Sequence, residues 1–183
     1  MPTILFIHSA GPQTPGEGSS RLVAAIRAAL PADIAFEAPL MPEPDNPHAS
    51  RWLPVIARTI AQQTRPFVLA GHSLGASSVL QPLAAPRAPT NLKGVVLLAT
   101  PFWSPDDLEL AEYALPADAA ERLAAIGPVT LLLGEDDDVI PRDHLERYRR
   151  LLPKADARLL PAVDHEAEGA ASAVLEACLT WLG

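Results

Sequence analysis

Hydrophobic residues in this chain fall into short unbroken runs, separated by stretches in which apolar positions recur at helical spacing. A strand that is covered on both faces shows such a run without polar alternation, as strands of parallel sheets do. Five runs fit this description, and a sixth, less apolar segment follows the first predicted helix. The predicted strands are Thr3–His8, Asp33–Glu37, Phe67–Ala70, Val95–Ala99, Val129–Leu133 and Ala157–Leu160.

The segments between these strands predict helices. Ser19 or Ser20 can cap the first helix, and Ser50 is expected to cap the second. Pro54 is tolerable in the second helix if it falls in the first turn, where a missing N–H costs no hydrogen bond. The remaining helices are predicted around Ala76–Leu83, Ala117–Ile126, Arg142–Leu152 and Gly169–Leu182.

Strands that alternate with helices indicate the α/β class. We predict a six-stranded, mainly parallel, doubly wound sheet with helices on both faces, formed by a single domain over residues 1–183. Only residues 100–128 separate the fourth and fifth strands, which leaves no room for a large lid. The functional site is expected at the carboxyl ends of the strands, where open α/β sheets bind their ligands.

Composition and charge limit the classes of partner that we expect for this protein. The formal net charge of −8 argues against nucleic acid, because no basic stripe is present to neutralise phosphates. The one cysteine, Cys178, cannot form an intrachain disulfide and is expected in the core. No run approaches the roughly 20 apolar residues of a membrane span, and Met1 leads directly into a strand. We therefore expect a cytoplasmic protein without a membrane partner, whose oligomeric state the sequence leaves open.

Gly71-His72-Ser73-Leu74-Gly75 follows the strand Phe67–Ala70 and precedes a helix-permissive stretch. Gly-x-Ser-x-Gly in this strand–turn–helix context predicts a nucleophile elbow, a sharp turn that exposes the serine hydroxyl. Glycines without a Cβ let the strand and the helix approach each other closely. Ser73 is therefore the candidate nucleophile.

A serine nucleophile needs a base, and two histidines lie downstream of it. His144 lies within a predicted helix and is expected to be solvated. His165 lies in the loop after the last strand, from which it can reach Ser73. We predict that His165 is the base.

The orienting acid is expected after the fifth strand, where four consecutive carboxylates precede a predicted helix. Asp137, three residues past a glycine turn, is the favoured acid, and Asp136 and Asp138 are the alternatives. Some of these carboxylates can instead cap the N-terminus of that helix, where the helix dipole favours negative charge.

The oxyanion of a tetrahedral intermediate needs backbone donors. One should be the N–H of Leu74, and the other the N–H of Ala10 or Ser9, in the loop after the first strand. His8 is expected to hold that loop.

Candidate substrate contacts are Ser9, Phe102, Trp103 and also His72, which should pack against its neighbours. Leu108 and Tyr113 either line an acyl pocket or pack the loop down. The glycine spacing of Gly11–Gly16 lacks the lysine of a phosphate loop, and no metal-ligand spacing is present, so we expect no cofactor and no metal.

These motifs resemble those of the α/β-hydrolase superfamily over nearly the whole chain. The short length and a proline-rich segment resemble a narrower group, the small serine hydrolases related to retinoblastoma-binding protein 9 and the YdeN-like proteins. The resemblance implies a six-stranded core, the triad Ser73, Asp137 and His165, and activity on small esters or amides. The chain departs from it at Asp164 and Glu166, which stand where a glycine and an aromatic residue are usual. The residues that carry the resemblance are Gly71-His72-Ser73-Leu74-Gly75, Gly134-x-x-Asp137-x-x-x-Pro141, His165, Pro39–Pro44 and Trp52-Leu53-Pro54.

The sequence therefore favours a serine hydrolase that cleaves small ester substrates, or thioesters or amides, through an acyl-enzyme. The alternative is a non-catalytic protein-binding module on a hydrolase fold, since a fold does not prove an activity. A pure interaction module has no chemical reason to retain the serine, acid and histidine in order.

Overall fold

The computed structural model describes residues 1–85, 89–107 and 110–183. Its centre is one sheet of six strands, all parallel, in the order β2-β1-β3-β4-β5-β6. This confirms the predicted fold class. The strands are β1 (Thr3–Ile7), β2 (Ala35–Glu37), β3 (Phe67–His72), β4 (Leu92–Leu98), β5 (Val129–Gly134) and β6 (Asp156–Leu160).

Seven helices of the described residues surround the sheet. They are α1 (Ser20–Ala29), α2 (Ala49–Ala61), α3 (Leu74–Ser78), α4 (Leu80–Leu83), α5 (Ala119–Leu123), α6 (Arg142–Leu151) and α7 (Ala171–Leu182). Short 3₁₀ turns lie at Ala111–Tyr113 and Glu168–Ala170. In the described ranges, no helix combines the length and the hydropathy needed to cross a membrane.

The strand order reverses direction at β1, since β2 lies on one side of it and β3 on the other. Right-handed crossovers then place α1 on one face and the helices between β2 and β6 on the other. α7 returns to the face of α1, where it packs against α1, β3 and β4. The reversal opens a crevice at the carboxyl ends of β1 and β3, where a doubly wound sheet places its site.

The central strands are almost entirely buried. Every residue of β1, β3 and β5 is buried, as continuous apolar runs predict for strands covered on both sides. Cys178 of α7 is also buried, in agreement with its predicted place in the core. The edge strand β6 is more exposed, and Arg158 there pairs with Asp156 and Glu176. The rigid centre of the sheet therefore lies directly beneath the crevice.

Two helix predictions are wrong in detail. His48, not Ser50, precedes α2, and its carbonyl accepts hydrogen bonds from the N–H groups of Arg51 and Trp52. Pro54 is consequently the sixth residue of the helix and lies beyond the first turn.

The stretch predicted as one helix over Ala76–Leu83 is two short helices that meet at Val79. Pro82 has no N–H to offer the carbonyl of Ser78, and the hydroxyls of Ser77 and Ser78 both donate to the carbonyl of Leu74. The helix after the elbow therefore ends early.

Candidate active site

Ser73 lies in the turn between β3 and α3, in a backbone conformation that few non-glycine residues adopt. Its φ is 52° and its ψ is −124°, which is a strained combination held by its surroundings. The Ser73 N–H donates to the carbonyl of Leu98 at the end of β4, at 2.9 Å. The turn is thus fixed to the neighbouring strand, and Ser73 remains partly exposed above the sheet.

The two glycines of the elbow allow close approaches. A Cβ at Gly75 would overlap the carbonyl oxygen of His8, and one at Gly71 would lie 2.8 Å from the Cα of Ala76. Since Cβ atoms do not approach other groups so closely, only glycine lets α3 begin directly against the end of β1. This contact brings the elbow next to the loop that follows β1.

His165 reaches Ser73 from the loop after β6. Its Nε2 lies 3.1 Å from Ser73 Oγ, and its side chain is 17% exposed. The loop closes over the end of β5, where a Cβ at Gly134 would overlap the carbonyl oxygen of Val163. Gly134 therefore permits the backbone contact that holds this loop.

Asp137 lies on the other side of the imidazole. Its two carboxylate oxygens lie 3.1 and 3.0 Å from His165 Nδ1, and its side chain is completely buried. Oδ1 also accepts hydrogen bonds from the backbone N–H groups of Val139 and Ile140, at 3.0 and 2.8 Å. These donors fix the carboxylate, so that Nδ1 carries a proton toward it and Nε2 is left to accept one from Ser73.

The other predicted alternatives lie apart from this arrangement. Asp136 and Asp138 are exposed, and no side-chain cap stabilises the start of α6.

The expectation of a solvated His144 is wrong. The side chain is half-buried, and its Nδ1 accepts a hydrogen bond from the Phe102 N–H at 3.0 Å, because α6 packs against the loop after β4.

The backbone N–H groups of Leu74 and Ala10 have no hydrogen-bond acceptor among the described residues. Leu74 follows the nucleophile, and Ala10 lies in the loop after β1, which the Gly75 contact brings close. Ser9, the alternative to Ala10, has a different role. Its N–H donates to Ser19 Oγ at 3.1 Å and is not available to an oxyanion.

Sequence reasoning missed two side chains that hold the loop after β1. Ser19 Oγ bridges the Ser9 N–H and His8 Nδ1, which lies 2.9 Å away. Gln13 donates to the Ser9 carbonyl and accepts from the Met41 N–H, at 3.0 and 2.8 Å. No local pattern marks these residues, because the bonds depend on how the loop after β1 folds back on itself and, for Gln13, on its contact with Met41 in another loop.

Two buried histidines support the site without touching its open side. His8 holds the loop after β1, as predicted, and burial together with the charge of Arg27 lowers its pKa to about 4. His72 is only 2% exposed, and burial lowers its pKa to about 3. Its Nε2–H donates to the backbone carbonyl of His165 at 2.9 Å. The expected substrate contact of His72 is therefore corrected to a contact that holds the loop of the base.

The departures at Asp164 and Glu166 place two exposed carboxylates around the base. Asp164 Oδ1 accepts a hydrogen bond from the N–H of Ala167, which has a positive φ of 59°. Asp164 thus stabilises the turn that carries His165.

The aromatic residues after β4 lie beside the elbow. Trp103 Nε1–H donates to Ser77 Oγ, one turn of helix past Ser73, at 3.0 Å. The ring of Phe102 packs on Tyr148, and the Arg147 guanidinium lies 4.2 Å above it. Both residues are half-buried and remain candidates for substrate contact. Tyr113 is 1% exposed and packs in the core, and Leu108 lies outside the described residues.

Comparisons with known proteins agree with this architecture. The ydeN gene product of B. subtilis is similar in structure, with a TM-score of 0.82 and 17% identity over 100% of this chain and 99% of that one. Est1E from Butyrivibrio proteoclasticus has a TM-score of 0.74 and 16% identity over 99% and 86% of the two chains. The esterase domain of a Rhodothermus marinus protein has a TM-score of 0.70 and 17% identity over 98% and 85%. Identities this low show the shared fold alone.

The sequence comparisons are more specific. No curated protein matches the chain in sequence. The family described as serine hydrolase matches residues 24–159, which is well over half of the chain and includes the elbow and the buried aspartate. The chain therefore belongs to the serine hydrolase family.

Proposed function

We propose that this protein is an esterase that hydrolyses small ester substrates through an acyl-enzyme intermediate, with Ser73 as nucleophile, His165 as base and Asp137 as orienting acid. The observation that carries the proposal is the pair of contacts made by one imidazole, Nε2 to Ser73 Oγ at 3.1 Å and Nδ1 to Asp137 at 3.0 Å. Three side chains from three loops meet here in the geometry of nucleophile, base and orienter.

In the first half of the reaction, Ser73 Oγ attacks the ester carbonyl carbon while its proton passes to His165 Nε2. The imidazolium that forms is stabilised by the buried carboxylate of Asp137, which keeps its own negative charge. His165 then gives its proton to the departing alcohol oxygen as the carbon–oxygen bond breaks. Water repeats the sequence on the acyl-enzyme and releases the carboxylic acid.

The oxyanion that forms on the carbonyl oxygen is stabilised by the N–H groups of Leu74 and Ala10. Neither donates to another described group, so both are free to bind the developing charge. Removing one such donor typically costs about 10²–10³-fold in kcat. The bonds made by Ser19 and Gln13 hold the Ala10 loop in place before the substrate arrives, which avoids a reorganisation cost in the transition state.

Small or accessible acyl groups are the substrates we favour. The segment between β4 and β5 is short, and Phe102 and Trp103 are the aromatic side chains that it presents beside the elbow. Thioesters and amides react through the same machinery and are the alternative substrates. The R. marinus protein is described as an esterase domain, which agrees with an ester.

The test is a screen of p-nitrophenyl esters of increasing acyl length beside aminoacyl amides, with a fluorophosphonate probe to identify the nucleophile. We expect turnover of short esters, a single labelled residue at Ser73, and loss of both in Ser73→Ala. Ser50→Ala, exposed on the surface of α2, is the matched control and should keep both.

Labelling that persists in Ser73→Ala would refute the assignment of the nucleophile. If wild-type protein neither reacts with the probe nor turns over any ester or amide, the chain is better explained as a protein-binding module on a hydrolase fold.

A further inference from the structure

A second pocket, of about 320 Å³, lies at the carboxyl end of β1, beside the loop that carries Ala10. We call it the His8 pocket. Its volume lies within the range of small-molecule sites, at the lower end. None of Ser73, Leu74 and His165 lines it, so it is distinct from the site of the proposed reaction. Its lining includes His8, Ser20, Ala24, Arg27, Ala38 and Leu40.

One wall of the His8 pocket contains a polar group that the fold leaves without a partner. Ser20 Oγ is buried and makes no hydrogen bond to any described residue. An unsatisfied buried hydroxyl costs free energy, and native structures seldom keep one without a reason. Ser20 is among the residues that line the pocket, so a ligand oxygen there is a candidate partner for this hydroxyl.

A cation lies on the same wall, two turns further along α1. The Arg27 guanidinium is held 5.4 Å above the ring of Phe36, and it forms no salt bridge with a carboxylate of the described residues. Phe36 is itself stacked against Phe6, so the ring that supports the guanidinium is fixed. An arginine that is positioned in this way and lacks an acidic partner is suited to bind a carboxylate.

The other charges around the pocket do not cancel Arg27. Arg21 donates to the carbonyl of Gly16 at the rim, while the carboxylate of Glu17 accepts the hydroxyl of Thr14. His8 is neutral near pH 7, because burial lowers its pKa to about 4. Arg27 is therefore the one charged side chain among the residues that line the pocket, and the pocket favours an anion in a chain whose net charge is −8.

The rest of the lining is apolar. Val23, Ala24 and Ala38 line the pocket, and Leu40 is 67% exposed although it is a large hydrophobic residue. An inorganic anion would leave this apolar surface uncovered, whereas a compact hydrocarbon body would cover it.

We propose that the His8 pocket binds a small organic acid, whose carboxylate pairs with Arg27 and accepts a hydrogen bond from Ser20 while its apolar body covers Ala24 and Leu40. The ligand then lies against His8 and Gln13, the side chains that hold the Ala10 loop. The proposal does not depend on the esterase activity, since the pocket and the reacting residues are separate.

Calorimetric titration with benzoate, and with benzamide as its neutral counterpart, tests this site. We expect saturable binding of one benzoate per chain, weakened about tenfold or more by Arg27→Gln, because a hydrogen bond to a charged group is lost. Ser20→Ala should weaken binding by a smaller factor. Arg58→Gln, on the exposed surface of α2, is the matched control and should leave the affinity unchanged. Benzamide should bind more weakly and be insensitive to Arg27→Gln.

A further variant distinguishes loss of the binding site from loss of the fold. Leu40→Glu changes only an exposed side chain, so the fold should persist, and its carboxylate at the mouth of the pocket should weaken benzoate binding. No saturable binding of benzoate overturns the proposal. Binding that is unchanged in Arg27→Gln and Leu40→Glu also overturns it, because the ligand then occupies another place, such as the site at Ser73.

Discussion

Replacing Asp137 by asparagine should nearly abolish turnover while leaving the fold intact, because the surrounding backbone dictates how the amide must lie. The N–H groups of Val139 and Ile140 both donate to Oδ1. In Asp137→Asn they require an acceptor at that position, which places the amide oxygen there. The amide NH₂ then occupies the position of Oδ2, 3.0 Å from His165 Nδ1.

Oδ1 lies 3.1 Å from Nδ1 but already accepts two backbone N–H groups, so the NH₂ at the Oδ2 position, the closer of the two, favours the other imidazole tautomer, with its proton on Nε2. His165 can then no longer accept the proton of Ser73. Loss of the correct tautomer in a Ser-His-Asp arrangement lowers kcat by about 10⁴-fold. Because both backbone hydrogen bonds survive, we expect only a small change in the midpoint of thermal unfolding.

The assay is kcat/KM on the best p-nitrophenyl ester, with thermal unfolding of each variant measured alongside. Asp136→Asn and Asp138→Asn are matched controls, since both residues are exposed and neither faces the imidazole. We expect each to retain turnover within a few-fold of the wild type. Similar, mild losses in all three variants would show that the acid lies elsewhere and that the contact of Asp137 with His165 has no catalytic role.

Three further predictions concern the groups that hold the site. Gly134→Ala should reduce turnover and lower Tm by roughly 2–12 °C, because overpacking against the Val163 carbonyl costs about 1–3 kcal/mol. Gly169→Ala is the control and should change neither turnover nor Tm, because a Cβ there meets only an ordinary contact at 3.5 Å. Gln13→Ala leaves the buried Ser9 carbonyl and Met41 N–H without partners, so the free energy of unfolding should fall by about 1–3 kcal/mol and kcat should fall with it. An unchanged kcat would show that the Ala10 loop does not need this support. The folded-state pKa of His72 is lowered to about 3, so its contribution to stability is complete above the unfolded value of about 6.5 and is lost as the pH falls toward 3. His72→Gln should therefore flatten the loss of Tm between pH 6.5 and 4, and identical profiles for the variant and the wild type would contradict this account.

Strands and their order of appearance could be predicted because the apolar runs are local and continuous. The elbow could be predicted for the same reason, since one pentapeptide after one strand contains all of its signals. Helix ends were less predictable. Serine is a common capping residue, which favours Ser50, yet the carbonyl of His48 accepts the first hydrogen bonds from N–H groups of α2. Residue type alone does not determine which carbonyl begins a helix.

The supporting contacts of the site could not be predicted because they join distant segments. Gln13 bonds to Met41, and His72 bonds to the carbonyl of His165, which is 93 residues away. The sequence makes His72 both a residue that packs against its neighbours and a candidate substrate contact, and the structure bears out the packing. A strand turns successive side chains to opposite faces, and this one points inward to a buried position. Neighbours in sequence can therefore have opposite accessibility.

The three loops that meet at the imidazole follow β3, β5 and β6, so the reacting groups are made at widely separated times during synthesis. The contacts that fix the elbow come from the ends of β1 and β4, so all of its residues are synthesised before the segment that carries His165. If Ser73 and His165 act as proposed, a nascent chain that has formed the elbow has a nucleophile and no base to activate it. On the same proposal, turnover begins only when the loop after β6 has docked across the end of β5 at Gly134. During refolding, the appearance of ester hydrolysis will therefore report the arrival of this last segment, while far-ultraviolet circular dichroism reports the earlier formation of the sheet and helices.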